Sequence, residues 1–172
     1  MTEQTLTFVS HTHWDREWYQ PFQEYRVRLV QLVDKLLDIF EQDPDYKYFM
    51  LDGQTIILDD YLEIRPENRA KLERYVRSGR LLIGPWYILP DEFLVAPEST
   101  IRNLQVGAAT CDRFGRRINV SNIPDPFGHI SQMPQILRGF DIDAMVFWRG
   151  VSGVKNEFVW VAPDGTDILV IH

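Results

Sequence analysis

Five short apolar segments, each followed by a stretch with helical spacing, constrain this chain more than any other feature. Residues 4–9 read as a buried strand. Pro21 to Gln42 then places Phe22, Tyr25, Leu29, Leu32, Val33, Leu36, Leu37 and Phe40 three and four apart, which predicts a long amphipathic helix with proline at its start. The pattern repeats. A strand over Tyr46–Leu51 precedes helices over Thr55–Leu62 and Pro66–Arg77, closed by Ser78-Gly79. A strand over Arg80–Gly84 precedes a helix over Pro97–Phe114. A strand over Ile118–Ser121 precedes a helix over Ser131–Arg138, and Asp143–Phe147 is a fifth strand. The tail differs: Glu157–Val161 and Asp167–His172 flank Pro163-Asp164-Gly165 and predict a β-hairpin. Serial β-then-α units build a parallel sheet with right-handed crossovers. Apolar strands suit a sheet covered on both faces. The choice is between a doubly wound sheet and most of a (β/α) barrel. No glycine-rich phosphate fingerprint follows the first strand.

Reactive side chains gather where these strands end. His11, His13 and Asp15 follow the first, Asp52 and Gln54 the second, and Trp86, Asp91 and Glu92 the third. Asp125 and His129 follow the fourth, and Arg149 the fifth. Active sites lie at the C-terminal ends of strands in barrels and at the switch point of open sheets. The pattern therefore predicts an active site under either topology.

Composition narrows the partners. The 172 residues suffice for one domain with a core, and a net charge of −7 without a basic run speaks against a nucleic-acid partner. A mildly acidic surface is not drawn to anionic membranes, and no apolar run approaches the ~18 residues that span a bilayer. A single cysteine, Cys111, favours a reducing, cytoplasmic setting. Met1-Thr2-Glu3-Gln4 lacks a cationic start and an apolar stretch, so no secretory leader is expected.

Imidazole and carboxylate are common donors for a divalent metal such as zinc. His13 and Asp15 are two apart, so an extended backbone points them to one side. The alternative is a hydrogen-bonded loop with Asp15 paired to Arg16. Asp125 sits between Pro124 and Pro126, on a stiffened turn that suits a group needing a fixed position. A plain Asx turn with Gly128 is the competing account. His129 fits a helix N-terminal residue better than a supporting partner. Arg149 could neutralise a carboxylate, bind substrate oxygens or form a surface ion pair, and Asp91-Glu92 could be paired acids or an exposed charged loop. Cys111 is expected in the core.

His11-Thr12-His13-Trp14-Asp15-Arg16-Glu17-Trp18-Tyr19 and Asp125-Pro126-Phe127-Gly128-His129 resemble the N-terminal domain of glycoside hydrolase family 38, the zinc-dependent α-mannosidases, in its bacterial branch. Asp52-Gly53-Gln54, Pro90-Asp91-Glu92 and Trp148-Arg149-Gly150 follow in the expected order. The resemblance implies a seven-stranded (β/α) barrel. Residues 1–172 would supply the N-terminal portion of that catalytic domain, about five βα units plus the hairpin. It implies His13, Asp15 and Asp125 as ligands of one zinc ion, Asp125 also as nucleophile, Trp18 and Phe127 as walls for a sugar ring, and Arg149 beside the nucleophile. His11 becomes a neighbour. A fourth ligand, a histidine, and the acid/base aspartate would come later in the family's chain.

The implied activity is retaining hydrolysis of terminal α-linked mannose from oligosaccharides or mannosyl conjugates. Two alternatives compete: an amidohydrolase-like metal enzyme in which His11 and His13 both bind metal, and an inactive sugar-binding fragment. An open strand edge makes a homo-oligomer a further expectation.

Overall fold

The computed structural model describes residues 5–172. It is an α/β fold of parallel strands and connecting helices. The strands are β1 (His11–Thr12), β2 (Phe49–Leu51), β3 (Leu81–Leu82), β4 (Val120–Asn122), β5 (Ala144–Val146), β6 (Glu157–Val161) and β7 (Asp167–Ile171). The helices are α1 (Phe22–Gln42), α2 (Ile56–Leu62), α3 (Arg69–Ser78), α4 (Pro97–Phe114) and α5 (Met133–Arg138). A 3₁₀ turn, Pro66–Asn68, leads into α3, and another, Glu92–Leu94, lies between β3 and α4. β1, β2 and β3 form one parallel sheet in that order. A second sheet has the order β4-β5-β7-β6, parallel except for the antiparallel β6–β7 pair.

The helices begin and end where local chemistry requires. Pro21 precedes α1 with φ −65°, its ring already set for a helical start. Asp43 stops α1: its carboxylate accepts the Asp45 and Tyr46 N–H groups in a tight turn. Gly79 and Gly115 close α3 and α4 in the left-handed conformation, at φ 77° and 100°.

Two apolar clusters hold the elements together. One packs Leu29, Val33, Leu36, Leu37 and Phe40 of α1 against Ile57, Leu58 and Tyr61 of α2, Leu72 and Val76 of α3, and Leu51 and Leu81 of the first sheet. The other gathers Trp86, Leu104, Ile123, Leu137, Met145, Phe147, Ile168 and Val170 under the second sheet. Cys111 is buried in the first cluster, where burial pushes its thiol up to about 12. The sheets meet through the segment after β3. Ile118 N–H donates to the Ile83 carbonyl (3.2 Å), and the Trp86 indole N–H donates to Ser121 Oγ (3.0 Å). α4 reaches this segment only because residue 107 is glycine: a Cβ there would lie 2.1 Å from the Pro85 carbonyl oxygen.

One expectation needs correction. The expected strand over residues 4–9 is absent from the described part of that range, residues 5–9; residue 4 lies outside the described residues. The strand starts at His11, and Leu6, Phe8 and Val9 are exposed. An apolar run needs a ladder partner to become a strand, and β2 meets β1 only from Met50↔His11 onward. The hairpin forms as expected. β7 inserts beside β5 in parallel register, Met145↔Val170, and extends the main sheet.

Candidate active site

The five strand ends open onto a cavity of about 440 Å³. His13, Asp15, Trp18, Asp125, Phe127 and Arg149 all line it, so the fold brings every expected site residue to one place. Trp14, Arg16, Gln54 and Asp91 complete much of the wall. Trp18 and Phe127 present their rings to solvent, 69% and 75% exposed, although each carries a large apolar face. His11 does not line this cavity but lines an adjoining one with His13, Asp15, Asp125 and Arg149; its Nδ1 meets the Thr12 carbonyl at 3.2 Å.

His13 follows the last residue of β1. Its Nδ1 faces Asp52 Oδ2 at 3.1 Å, and its Nε2 faces Asp15 Oδ2 at 3.6 Å. The hydrogen bond to Asp52 raises the proton affinity of His13 above the ordinary value; burial opposes this, and the charges of Asp52, Asp15 and Asp125 reinforce it. Asp15 is raised too, first by burial, then by Asp125, Asp52 and Asp91, against the lowering effect of His13. Arg16 does not pair with Asp15. It forms a two-point contact with Asp60, at 2.8 and 2.9 Å, that ties the loop to α2.

On the opposite wall, Arg149 pairs with the Asp125 carboxylate and donates from Nε to the Asp125 carbonyl at 2.8 Å. The guanidinium stacks over Phe127, 4.6 Å from the ring centroid. Arg149 is thus both neutraliser and ion-pair partner, rather than one or the other.

His129 is not the helix N-terminal residue that its position suggests. Its side chain is 2% exposed, its Nδ1 lies 2.6 Å from Glu92 Oε1, and its Nε2 donates to the Arg149 carbonyl at 2.9 Å. Burial pulls His129 down, but Glu92 and the Arg149 carbonyl outweigh it and leave the ring raised. Glu92 also accepts the Ile130 N–H at 2.8 Å. So the pair Asp91-Glu92 divides: Asp91 lines the cavity and Glu92 is a buried brace.

Sequence reasoning did not assign the braces. Asp52 was visible only as a strand-end acid. Its role rests on a positive φ of 49° that turns the carboxylate under His13. The next residue, Gly53, has φ 70° and approaches the end of β4 so closely that a Cβ would sit 2.9 Å from Asn122 Cβ.

Among the described residues, no three His, Cys, Asp or Glu side chains stand close enough to grip a metal ion as they are arranged. The donor set nevertheless fits one. An imidazole nitrogen and a carboxylate face each other at 3.6 Å, the Asp125 carboxylate lines the same cavity, and burial together with the surrounding acids raises the proton affinity of Asp15.

Converging acids, a pinned histidine and exposed aromatic faces thus gather around one cavity. The chain matches the glycosyl hydrolases family 38 N-terminal domain over residues 3–172, and it belongs to that family. It is 45% identical to a protein of Halalkalibacterium halodurans named "Putative mannosylglycerate hydrolase", over 98% of this chain and 20% of that protein. It is 25% identical to an alpha-mannosidase of Saccharomyces cerevisiae, over 94% of this chain and 15% of that protein. The crystal structure of an alpha-mannosidase from Enterococcus faecalis V583 superposes with a TM-score of 0.92 at 44% identity, covering 95% of this chain and 19% of that one. A 4-alpha-glucanotransferase from Thermococcus litoralis shares the fold at a TM-score of 0.70 and 15% identity, over 95% of this chain and 27% of that one. The chain thus spans about a fifth of the length of its first relative.

Proposed function

We propose that residues 1–172 are the N-terminal portion of the catalytic domain of a zinc-dependent retaining α-mannosidase, a (β/α) barrel of the seven-stranded type. The observation that carries this is the convergence of His13, Asp15, Asp125 and Arg149 on one cavity in a chain of family 38. The substrate class is terminal α-linked mannose, in oligosaccharides or in small mannosyl conjugates such as the one in the first relative's name. Family membership sets aside the amidohydrolase alternative. The lone buried thiol of Cys111 supports a reducing, cytoplasmic setting. No helix among the described residues is long and apolar enough to cross a membrane.

His13 Nε2, Asp15 and Asp125 would hold the metal, which supplies a positive charge that orients two adjacent sugar hydroxyls and stabilises the developing charge. Trp18 and Phe127 offer flat apolar faces against which the ring seats. Arg149 pairs with Asp125 and holds its carboxylate in place. Asp125 attacks the anomeric carbon as the glycosidic C–O bond breaks, giving a β-mannosyl ester on its carboxylate. The leaving oxygen takes its proton from a second carboxyl group about 5–5.5 Å away. That acid lies beyond residue 172 in this reading. Water then attacks the anomeric carbon, the acid's conjugate base takes its proton, and the ester bond breaks with net retention.

Hydrolysis of an aryl α-mannoside by the intact protein tests the reading. Activity should vanish with a chelator and return with Zn²⁺, and the Asp125→Asn variant should be inactive. Wild-type turnover by Asp125→Asn would exclude this nucleophile. Residues 1–172 alone should not turn over the substrate.

A further inference from the structure

The cavity wall below His13 holds a carboxylate that the proposed chemistry does not use. Asp52 is completely buried, and its hydrogen-bond donors are the Trp14 N–H at 2.8 Å, the Gln54 amide at 3.1 Å, the Asn122 amide at 3.5 Å, and His13. Gln54 in turn donates to the Trp14 carbonyl at 2.7 Å, so the loop over residues 13–15 is tied to the end of β2 at several points.

We propose that Asp52 is a positioning residue that keeps the His13 proton on Nδ1 and aims a bare Nε2 lone pair at Asp15 and the cavity. An ionised carboxylate only accepts hydrogen bonds, so the nitrogen facing it must donate. A neutral imidazole with its proton on Nδ1 has its lone pair on Nε2. Nε2 is the nitrogen that faces Asp15. Such carboxylate–imidazole pairs orient metal-binding histidines and raise their basicity. This inference rests on the metal-centre reading above.

Asparagine at position 52 nearly preserves shape but not the acceptor pattern. An amide nitrogen placed on the Oδ2 side would meet the Trp14 and Gln54 donors. The Oδ2 position is also the one nearer His13 Nδ1, so a nitrogen there would reverse the tautomer and put a hydrogen on Nε2, whereas a nitrogen at the Oδ1 position would leave the ring facing a neutral amide oxygen in place of a carboxylate. The metal-free intact protein, titrated with Zn²⁺ against a chelating indicator, should bind about 10–100-fold more weakly as Asp52→Asn. Its Co²⁺-loaded form should show an altered visible spectrum, while thermal unfolding of the metal-free form reports the fold. If His13→Ala and Asp15→Ala bind Zn²⁺ like wild type, the metal-centre reading falls and takes the Asp52 role with it. If those two lose the metal while Asp52→Asn keeps wild-type affinity and cobalt spectrum, the Asp52 role alone is overturned. Should Asp52→Asn fail to fold, neutron diffraction from the metal-free wild-type protein decides. A hydrogen on His13 Nδ1 directed at Asp52 supports the role, and a bare Nδ1 overturns it.

Discussion

The wall built from the ends of β1 and β2 and the wall built from the ends of β4 and β5 treat their charges in opposite ways. On the second wall each carboxylate has its own cationic partner: Arg149 for Asp125, and the raised imidazole of His129 for Glu92. On the first wall Asp15 and Asp52 share one histidine, and Asp15 feels Asp125 and Asp91 besides. Negative charge is balanced locally at Asp125, the nucleophile of the proposed reading, and accumulates around His13 and Asp15, the metal ligands of that reading. Orientation and attraction are thus assigned to different strand ends, and substitutions on the two walls should fail differently.

The sharpest break is expected at Asp125. Asp125→Asn should lower turnover of an aryl α-mannoside by the intact protein on the order of 10³-fold or more, because no neighbouring group replaces the nucleophile. Asp15→Ala should weaken zinc binding by more than the roughly tenfold to hundredfold expected of a supporting residue, whereas His11→Ala should leave it unchanged. Metal content after dialysis measures both, and metal lost with His11→Ala alone would overturn the ligand set.

His129→Ala tests the second wall as scaffold. It strands the buried Glu92 carboxylate without its cation, so equilibrium unfolding should show a loss of about 3 kcal/mol. A smaller, pH-dependent effect follows from the raised His129. Its folded-state value exceeds the ordinary 6.5, so its protonation stabilises the fold fully below the unfolded value. That contribution is lost as pH rises through the folded value. The stability gap between wild type and His129→Gln should be widest near about pH 5.5 and narrow upward. A gap that widens with pH would show the ring is neutral in the folded state. At the far end, Glu98→Ala removes an exposed pair with Arg102 on α4, away from both walls, and should change stability by less than about 0.5 kcal/mol.

Helix positions were largely legible because apolar spacing and end signals act locally. Pro97 and Gly115 bound α4 where the sequence places it, and α1 starts one residue after its proline. The strands are shorter than their apolar runs suggest. Tyr46–Leu51 reduces to Phe49–Leu51, since pairing depends on a neighbour and apolarity reports only burial. Residues 5–9 show the limit of that rule, being apolar, unpaired and exposed. The cavity residues were legible as a group because strand ends converge in any parallel α/β fold. The braces were not. Glu92 and His129 are 37 residues apart, as the loop after β3 must fold back before they meet. Asp52 needed a backbone angle that no spacing rule reveals.

Gly53 sets a dimension. With the end of β2 already touching Asn122, the gap between the walls has no slack on that side, and any side chain at 53 would act as a wedge driven between them. The wedge would bear on the strand end only three residues before Asp125, so it would move that carboxylate away from His13 without touching either group. The working width of this site is therefore set by one missing methyl group, at a residue that carries no chemistry of its own.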